Sequence, residues 1–101
     1  MKKTIENIVI KDDAEQLARF AKALCHPTRI AILKHLENQS CCFTGDLVDL
    51  FPLAQSTISQ HLKELKSAGL IQGELNPPKI KYCINTENWK TAKALFQSFF
   101  E

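Results

Sequence analysis

The stretch between Gln55 and Gly69 constrains the fold of this chain more than any other feature of its sequence. Ile58, Leu62 and Leu65 recur at positions i, i+4 and i+7, which places them on one stripe of a helix. Gly69 follows where such a helix ends, because glycine enters the left-handed backbone conformation without a steric penalty. A helix with an apolar back and a donor-rich front fits the DNA major groove, and an ordinary amphipathic surface helix is the alternative. The polar front consists of Gln55, Ser56, Ser59, Gln60, Lys63 and Lys66.

The residues just before this helix predict a second, shorter one. Thr44 is a candidate N-cap for a helix over about 45–51, Leu47 lies on its apolar side, and Pro52 ends it. The short link 51–53 then leads straight into the donor-rich helix. Because two helices joined by so few residues must cross at a steep angle, the pair is predicted to be a helix-turn-helix.

After Gly69 the hydrophobic period changes from that of a helix to that of a strand. Apolar and other residues alternate over 70–75 and again over 79–84, and the turn-forming run Asn76-Pro77-Pro78 separates the two segments. This pattern predicts a β-hairpin that carries Lys79 and Lys81 on its return strand.

Three more helices are predicted outside this unit. The first covers about 13–25, with Asp12 as its N-cap and Glu15 completing a capping box. The second covers about 27–38 and the last about 87–100. Their apolar faces are formed by Leu17, Phe20, Ala21 and Leu24, by Ile30, Leu33 and Leu36, and by Trp89, Ala92, Leu95, Phe96 and Phe99.

Length and composition indicate one small globular domain. The chain has 101 residues, of which 45% are hydrophobic and 24% charged, and its apolar runs fall short of the roughly 20 residues that span a bilayer. Residues 1–11 are predicted to be a tail without a secretory signal, so we expect a cytoplasmic protein without a membrane partner. Residues 52–86 contain four lysines and two glutamates, which favours an anionic partner for this segment.

The order of the predicted elements is that of a winged helix-turn-helix, a mainly α (α+β) fold with about five helices and one β-hairpin wing. The segments Ala23–Leu33, Gly45–Leu47 and Leu53–Leu62 go further and resemble the ArsR family of small dimeric repressors. The resemblance implies a homodimeric, sequence-specific repressor of transcription that binds double-stranded operator DNA. This sequence departs from the family pattern at Ala54, where such helices usually carry a serine N-cap. The residues expected to contact DNA are Gln55, Ser56, Thr57, Ser59, Gln60, His61 and Lys63 on the helix, and Lys79 and Lys81 in the wing.

The terminal helices carry more apolar residues than one core-facing stripe requires, which suggests a partner surface. We therefore predict a single domain over 1–101, with a core at 12–86 and a C-terminal dimerisation helix at 87–101. Completion of the monomer core is the alternative role for the same side chains. The predicted dimer interface consists of Leu17, Phe20, Trp89, Leu95, Phe96 and Phe99.

The cysteines lack the spacing of a zinc finger, and in a reducing cytoplasm we expect them to be thiols. Metal-sensing members of the family carry Cys-x-Cys just before the third helix, where this chain has Phe43 and Gly45, so neither a metal site nor a bound cofactor is predicted. Cys41 and Cys42 remain candidates for sensing a soft metal or a thiol oxidant as the inducer, or they have no sensing role.

Two other classes of function compete with this interpretation. A winged-helix module could bind protein or RNA, although such a surface more often exposes aromatic side chains than the amides and hydroxyls found here. An enzyme is not predicted, because the sequence lacks a nucleophile elbow, a phosphate-binding loop and an HExxH motif.

Overall fold

The computed structural model describes residues 3–5, 8–39 and 41–101 of the chain. In chain order, the described elements are β1 (Lys3–Ile5), β2 (Ile8–Ile10), α1 (Asp12–Ala23), α2 (Pro27–Gln39), β3 (Cys41–Phe43), α3 (Thr44–Leu50), α4 (Gln55–Ser67), β4 (Ile71–Asn76), β5 (Lys79–Ile84) and α5 (Thr86–Phe100).

The predicted winged helix-turn-helix is confirmed, and its sheet has one strand more than the sequence indicated. Helices α3 and α4 form the helix-turn-helix, and β4 and β5 form the predicted hairpin. β3 pairs antiparallel with β5, which gives a sheet in the order β3-β5-β4. The strand that enters the helix-turn-helix is therefore bonded directly to the wing.

The prediction of a tail over 1–11 is wrong for the described part of that segment. β1 and β2 pair antiparallel, with Lys3 opposite Ile10 and Ile5 opposite Ile8. Isoleucine, valine and threonine dominate both strands, and these β-branched residues favour extended backbone. The remainder of the predicted tail, apart from Lys11, lies outside the described residues.

The core forms where the helices and the sheet meet. The predicted stripe of α4 is confirmed, since Ile58, Leu62 and Leu65 are all fully buried. In α2, Leu33 and Leu36 are buried as predicted, but Ile30 is 46% exposed and Ile32 is buried instead. Ile32 and Leu36 lie one helical turn apart, so α2 is rotated relative to the predicted stripe. The fully buried large side chains are Phe20, Ile32, Leu36, Leu47, Ile58, Leu62, Leu65, Leu70 and Ile71.

Two predicted helix caps are wrong. Asp12 lies within the first turn of α1, where its charge suits the helix dipole, and Lys11 is the N-cap. Thr44 is the first residue of α3 and follows the N-cap Phe43. The Thr44 hydroxyl instead donates a hydrogen bond to the Ile80 carbonyl at 3.4 Å, because β3 brings this residue beside β5.

The predicted end of α4 at Gly69 is confirmed. Gly69 has a φ of +86°, and its N–H donates to the Lys66 carbonyl at 2.9 Å. The Leu70 N–H donates to the Leu65 carbonyl at 3.1 Å, which completes a Schellman motif. Leu70 is thereby folded back into the core as the chain enters β4.

Candidate nucleic-acid interface

The exposed face of α4 carries six of the nine residues predicted to contact DNA. Its first residue follows Ala54, whose methyl group cannot accept a hydrogen bond from the helix N-terminus. The amide of Gln60 donates to the Glu64 carboxylate at 3.2 Å, one helical turn further along. The exposed side chains on this face are Gln55, Ser56, Thr57, Ser59, Gln60 and Lys63.

His61 lies on the buried side of α4, away from the exposed polar residues. It is only 8% exposed, and its Nδ1 accepts a hydrogen bond from Nε of Arg29 at 3.2 Å. The ring of His26 lies 4.4 Å away, centroid to centroid. His61 lies three residues after the buried Ile58 and four before the buried Leu65, so it shares their side of α4 and faces away from the exposed polar residues. The structure thus corrects the prediction that His61 contacts DNA. The helical spacing could have indicated its buried side, but not that Arg29 is its partner.

The two wing lysines differ in their surroundings. Lys79 is exposed, and its ammonium group lies 5.3 Å from the centre of the Phe43 ring. Lys81 is half-buried and forms an ion pair with Glu74 at 3.5 Å across the β4–β5 ladder. Since Glu74 offsets the charge of Lys81, Lys79 is the more available cation for a phosphate.

A cleft of about 430 Å³ lies between the start of α4 and the wing. Gln55 and Ser59 line it from α4, and Lys79 lines it from β5, so the structure brings predicted contacts of both elements together. Asp46 on α3 lines the same cleft, and its negative charge limits how closely a phosphate can approach on that side. The remaining lining residues are Phe43, Thr44, Gly45, Pro78, Ile80 and Tyr82.

The cysteines are not all thiols, which corrects the expectation drawn from the sequence. Cys41 of β3 lies directly opposite Cys83 of β5, and the two form a disulfide. Cys25 and Cys42 are free. The pairing could not be predicted from the sequence, because β3 has only three residues and is too short to show a strand period.

Cys42 lies on the opposite side of β3 from Cys41, with its Sγ 3.9 Å from Nε2 of His35. Burial raises the pKa of the Cys42 thiol, and the nearby Asp46 carboxylate raises it further. The neutral thiol is therefore favoured, which makes Cys42 a poor nucleophile. Among the described residues, no group of three or more histidine, cysteine, aspartate or glutamate side chains could hold a metal ion.

The outer faces of α1 and α5 form an apolar surface. Phe99 is 67% exposed and Phe100 is 77% exposed. Leu17, Trp89, Leu95 and Phe96 are half-buried and line two grooves along these helices. Phe20 is only 2% exposed because it packs inside the monomer core, so its predicted place in a dimer interface is wrong.

The sequence of this chain is similar to those of known proteins. A family described as "Bacterial regulatory protein, arsR family" matches residues 26–72. The HTH-type transcriptional regulator YgaV of Escherichia coli K12 is 35% identical over 78 residues, which cover 77% of this chain and 79% of that protein. The chain belongs to the ArsR family.

Two further ArsR relatives extend the likeness. The transcriptional repressor PagR of Bacillus anthracis is 30% identical over 92 residues, covering 83% of this chain and 89% of that protein. A homodimeric winged helix-turn-helix DNA-binding domain of a possible ArsR-family regulator from Mycobacterium bovis superposes with a TM-score of 0.70 at 29% identity, covering 84% of this chain and 78% of that one.

The ArsR relatives are transcriptional regulators and not enzymes, in agreement with the prediction that this chain is not an enzyme. Within the part of the chain that the structure describes, none of the helices is both long enough and apolar enough to cross a membrane.

Proposed function

We propose that this ArsR-family chain is a homodimeric repressor that binds double-stranded operator DNA in a sequence-specific manner. The observation that carries the proposal is the division of α4, whose apolar stripe is fully buried while its amide, hydroxyl and lysine side chains are exposed. An interior stripe fixes the helix on the domain, and the outer face remains free to enter the major groove.

The α4 side and the wing side of the cleft favour different roles in DNA binding. Gln55 and Gln60 present amides, which can pair bidentately with adenine in the major groove. Lys79 presents a positive charge beside the same cleft, which suits a phosphate and carries little sequence information. We therefore assign base readout to α4 and backbone contact to the wing.

Selection of bound duplexes from a random pool, followed by titration of the selected sequence and of a random duplex, tests this proposal. We expect the selected duplex to bind at least about a thousandfold more tightly at the same salt concentration, as is usual for specific regulators. Equal affinity for the two duplexes would reject sequence-specific binding and would favour a winged-helix module for protein or RNA.

A second copy of the chain is the proposed partner for the apolar faces of α1 and α5. Phe99 and Phe100 are exposed, grooves lined in part by apolar side chains run along the same helices, and the Mycobacterium bovis relative is described as homodimeric. A two-fold dimer would present its two α4 helices to successive major grooves about 34–36 Å apart.

Phe99→Glu tests the dimer, because Phe99 is exposed in the single chain and its loss leaves the monomer core intact. Burial of the new carboxylate in an interface is costly, so we expect monomers in sedimentation. Leu75→Glu is the matched control, since Leu75 is 80% exposed at the tip of the wing. A dimer that survives Phe99→Glu would place the interface elsewhere.

We also propose that a thiol oxidant lowers operator affinity by closing the Cys41–Cys83 bond, so that the form with the bond closed, which the structure shows, keeps the DNA surface but binds the operator more weakly than the reduced form. The bond ties β5 of the wing to β3, the strand that enters α3, and so limits how far the wing can adjust to DNA. Closure removes two protons and two electrons from the thiols, and a peroxide that accepts them yields water. A coupling of about 5- to 150-fold in operator affinity is typical of such linkage.

Operator titrations of the reduced and the peroxide-treated protein test this signal, with arsenite, zinc and cadmium as further arms for a soft metal. We expect oxidation to weaken operator binding in the wild type and in Cys42→Ser, and to have no effect in Cys83→Ser. Affinities within about twofold across all conditions would exclude the cysteines as the sensor.

A further inference from the structure

One guanidinium connects three helices of the domain. Arg29, on α2, donates through Nε to Nδ1 of His61 on α4 at 3.2 Å. Its Nη1 lies 3.4 Å from the carbonyl oxygens of Lys22 and Ala23 in the last turn of α1. These carbonyls carry the negative end of the α1 dipole, which favours a cation at this position. Arg29 thereby ties α4 to α1, the helix that carries part of the proposed dimer surface.

The hydrogen bond from Arg29 fixes the protonation state of His61. An arginine side chain has only donors, so Nδ1 of His61 must offer a lone pair and any ring proton must lie on Nε2. A proton on Nδ1 would place two N–H groups against each other and would add a positive charge beside Arg29. The bond therefore forms only with neutral His61.

We infer that Arg29 and His61 are a positioning pair that orients α4 for operator binding, and that protonation of His61 releases α4 from this orientation. The inference rests on the proposed function and adds a pH dependence to it. Acidification is expected to weaken specific binding while leaving the exposed face of α4 chemically unchanged.

The surroundings of His61 also favour its neutral form. Burial lowers the pKa of His61, and the charges of His26 and Arg29 lower it further. Arg19 and Lys22 of α1 and Glu64 of α4 line the adjoining groove between these helices. Glu64 is the acidic residue of that groove, and it is hydrogen-bonded to Gln60. The neutral form is thus favoured at neutral pH, and the interaction is lost as the pH falls through this lowered pKa, which lies below the ordinary histidine value of about 6.5.

The test compares operator affinity at about pH 7.5 and about pH 5.0, at constant ionic strength, for the wild type and two variants. His61→Asn keeps an acceptor near the position of Nδ1 but cannot titrate. His35→Gln removes a histidine on α2 that contacts Cys42 and is the matched control. Sedimentation at both pH values verifies that the dimer persists.

We expect the wild type and His35→Gln to lose about tenfold or more in operator affinity at the lower pH, with no comparable loss on a random duplex. His61→Asn should bind the operator at both pH values with nearly equal affinity. A wild type that discriminates operator from random duplex equally well at both pH values would overturn this inference alone. A wild type without discrimination at neutral pH would overturn the proposed function and this inference with it.

Nitrogen NMR of the wild type gives a readout that requires no variant to fold. At neutral pH, His61 is expected to show a proton on Nε2 and a bare Nδ1. A proton on Nδ1 of neutral His61 would show that Arg29 does not hold this ring, and would refute the positioning pair.

Discussion

Helix α4 and the three-stranded sheet present the two halves of the candidate DNA surface, but they are held in place by different means. α4 is fixed by interactions that its own residues specify, namely the buried Ile58, Leu62 and Leu65 and the Schellman motif that ends at Gly69. The sheet depends on residues far apart in the chain, since Cys41 and Cys83 are joined across a sequence separation of 42. Local patterns therefore determine where the reading helix forms and which face it buries, whereas a long-range bond ties the wing to the strand that enters the helix-turn-helix.

The two ends of β5 differ in burial. Lys79 and Ile80 near the tip are exposed, whereas Cys83 and Ile84 at the far end are buried. The wing is anchored at its base and free at its tip, where the proposed phosphate contact lies.

The largest effect is expected at the anchor of α4. Leu62→Ala should lower the free energy of unfolding by about 2–5 kcal/mol, because it leaves a cavity at a fully buried position. Ser59→Ala, on the exposed face of the same helix, should change it by no more than about 0.5 kcal/mol. Urea unfolding of both variants checks this difference, and similar losses would mean that α4 is not divided as described.

Reduction of the Cys41–Cys83 bond should lower the free energy of unfolding slightly less than Leu62→Ala does. Closure of a loop of this length stabilises the folded state by about 2–4 kcal/mol, chiefly by restricting the unfolded chain. Urea unfolding with and without a reductant measures the effect, and Cys83→Ser should lose the dependence on reductant. Cys25→Ser, at a free and exposed thiol, is the control and should keep it.

A smaller effect is expected at the C-terminal cap of α4. Gly69→Ala should cost about 1–2 kcal/mol, because a φ of +86° is unfavourable for alanine. A Cβ at this position would also lie only 2.8 Å from Nδ2 of Asn88, whose amide donates to the Gly69 carbonyl.

Gly45→Ala provides the matched comparison for the cap. A Cβ on Gly45 meets nothing within 4 Å, and the residue lies inside α3, so alanine should stabilise the protein by up to about 0.5–1 kcal/mol. Equal effects of the two substitutions on the thermal midpoint would contradict the role assigned to Gly69.

The sequence could predict features whose cause is local. The stripe of α4, its end at Gly69 and the hairpin around Pro77-Pro78 all follow from residue types at short spacing, and all are present. The likeness to the ArsR family added the expectation of a dimeric repressor and the individual residues expected to contact DNA.

The features that sequence reasoning missed depend on tertiary contacts. Cys41 meets Cys83 only because β3 pairs with β5, and Thr44 serves the sheet because the same pairing brings Ile80 beside it. His61 resembles the reading face by residue type, but its spacing from Ile58 and Leu65 places it on the buried side of α4, where it meets Arg29. For Cys41, Thr44 and the partner of His61, a residue distant in sequence decides the role, and the local sequence does not identify that residue.

The measurement that tests the division of roles most directly is a salt titration of Gln60→Ala and Lys79→Ala on the selected operator and on a random duplex. Gln60→Ala should lose about 1–3 kcal/mol on the operator and almost nothing on random DNA, because it removes base readout. Lys79→Ala should weaken both complexes and reduce the slope of log K against log salt by about one unit per subunit. Equal losses by Gln60→Ala on both duplexes, or an unchanged salt slope for Lys79→Ala, would contradict the assignment of readout to α4 and phosphate contact to the wing.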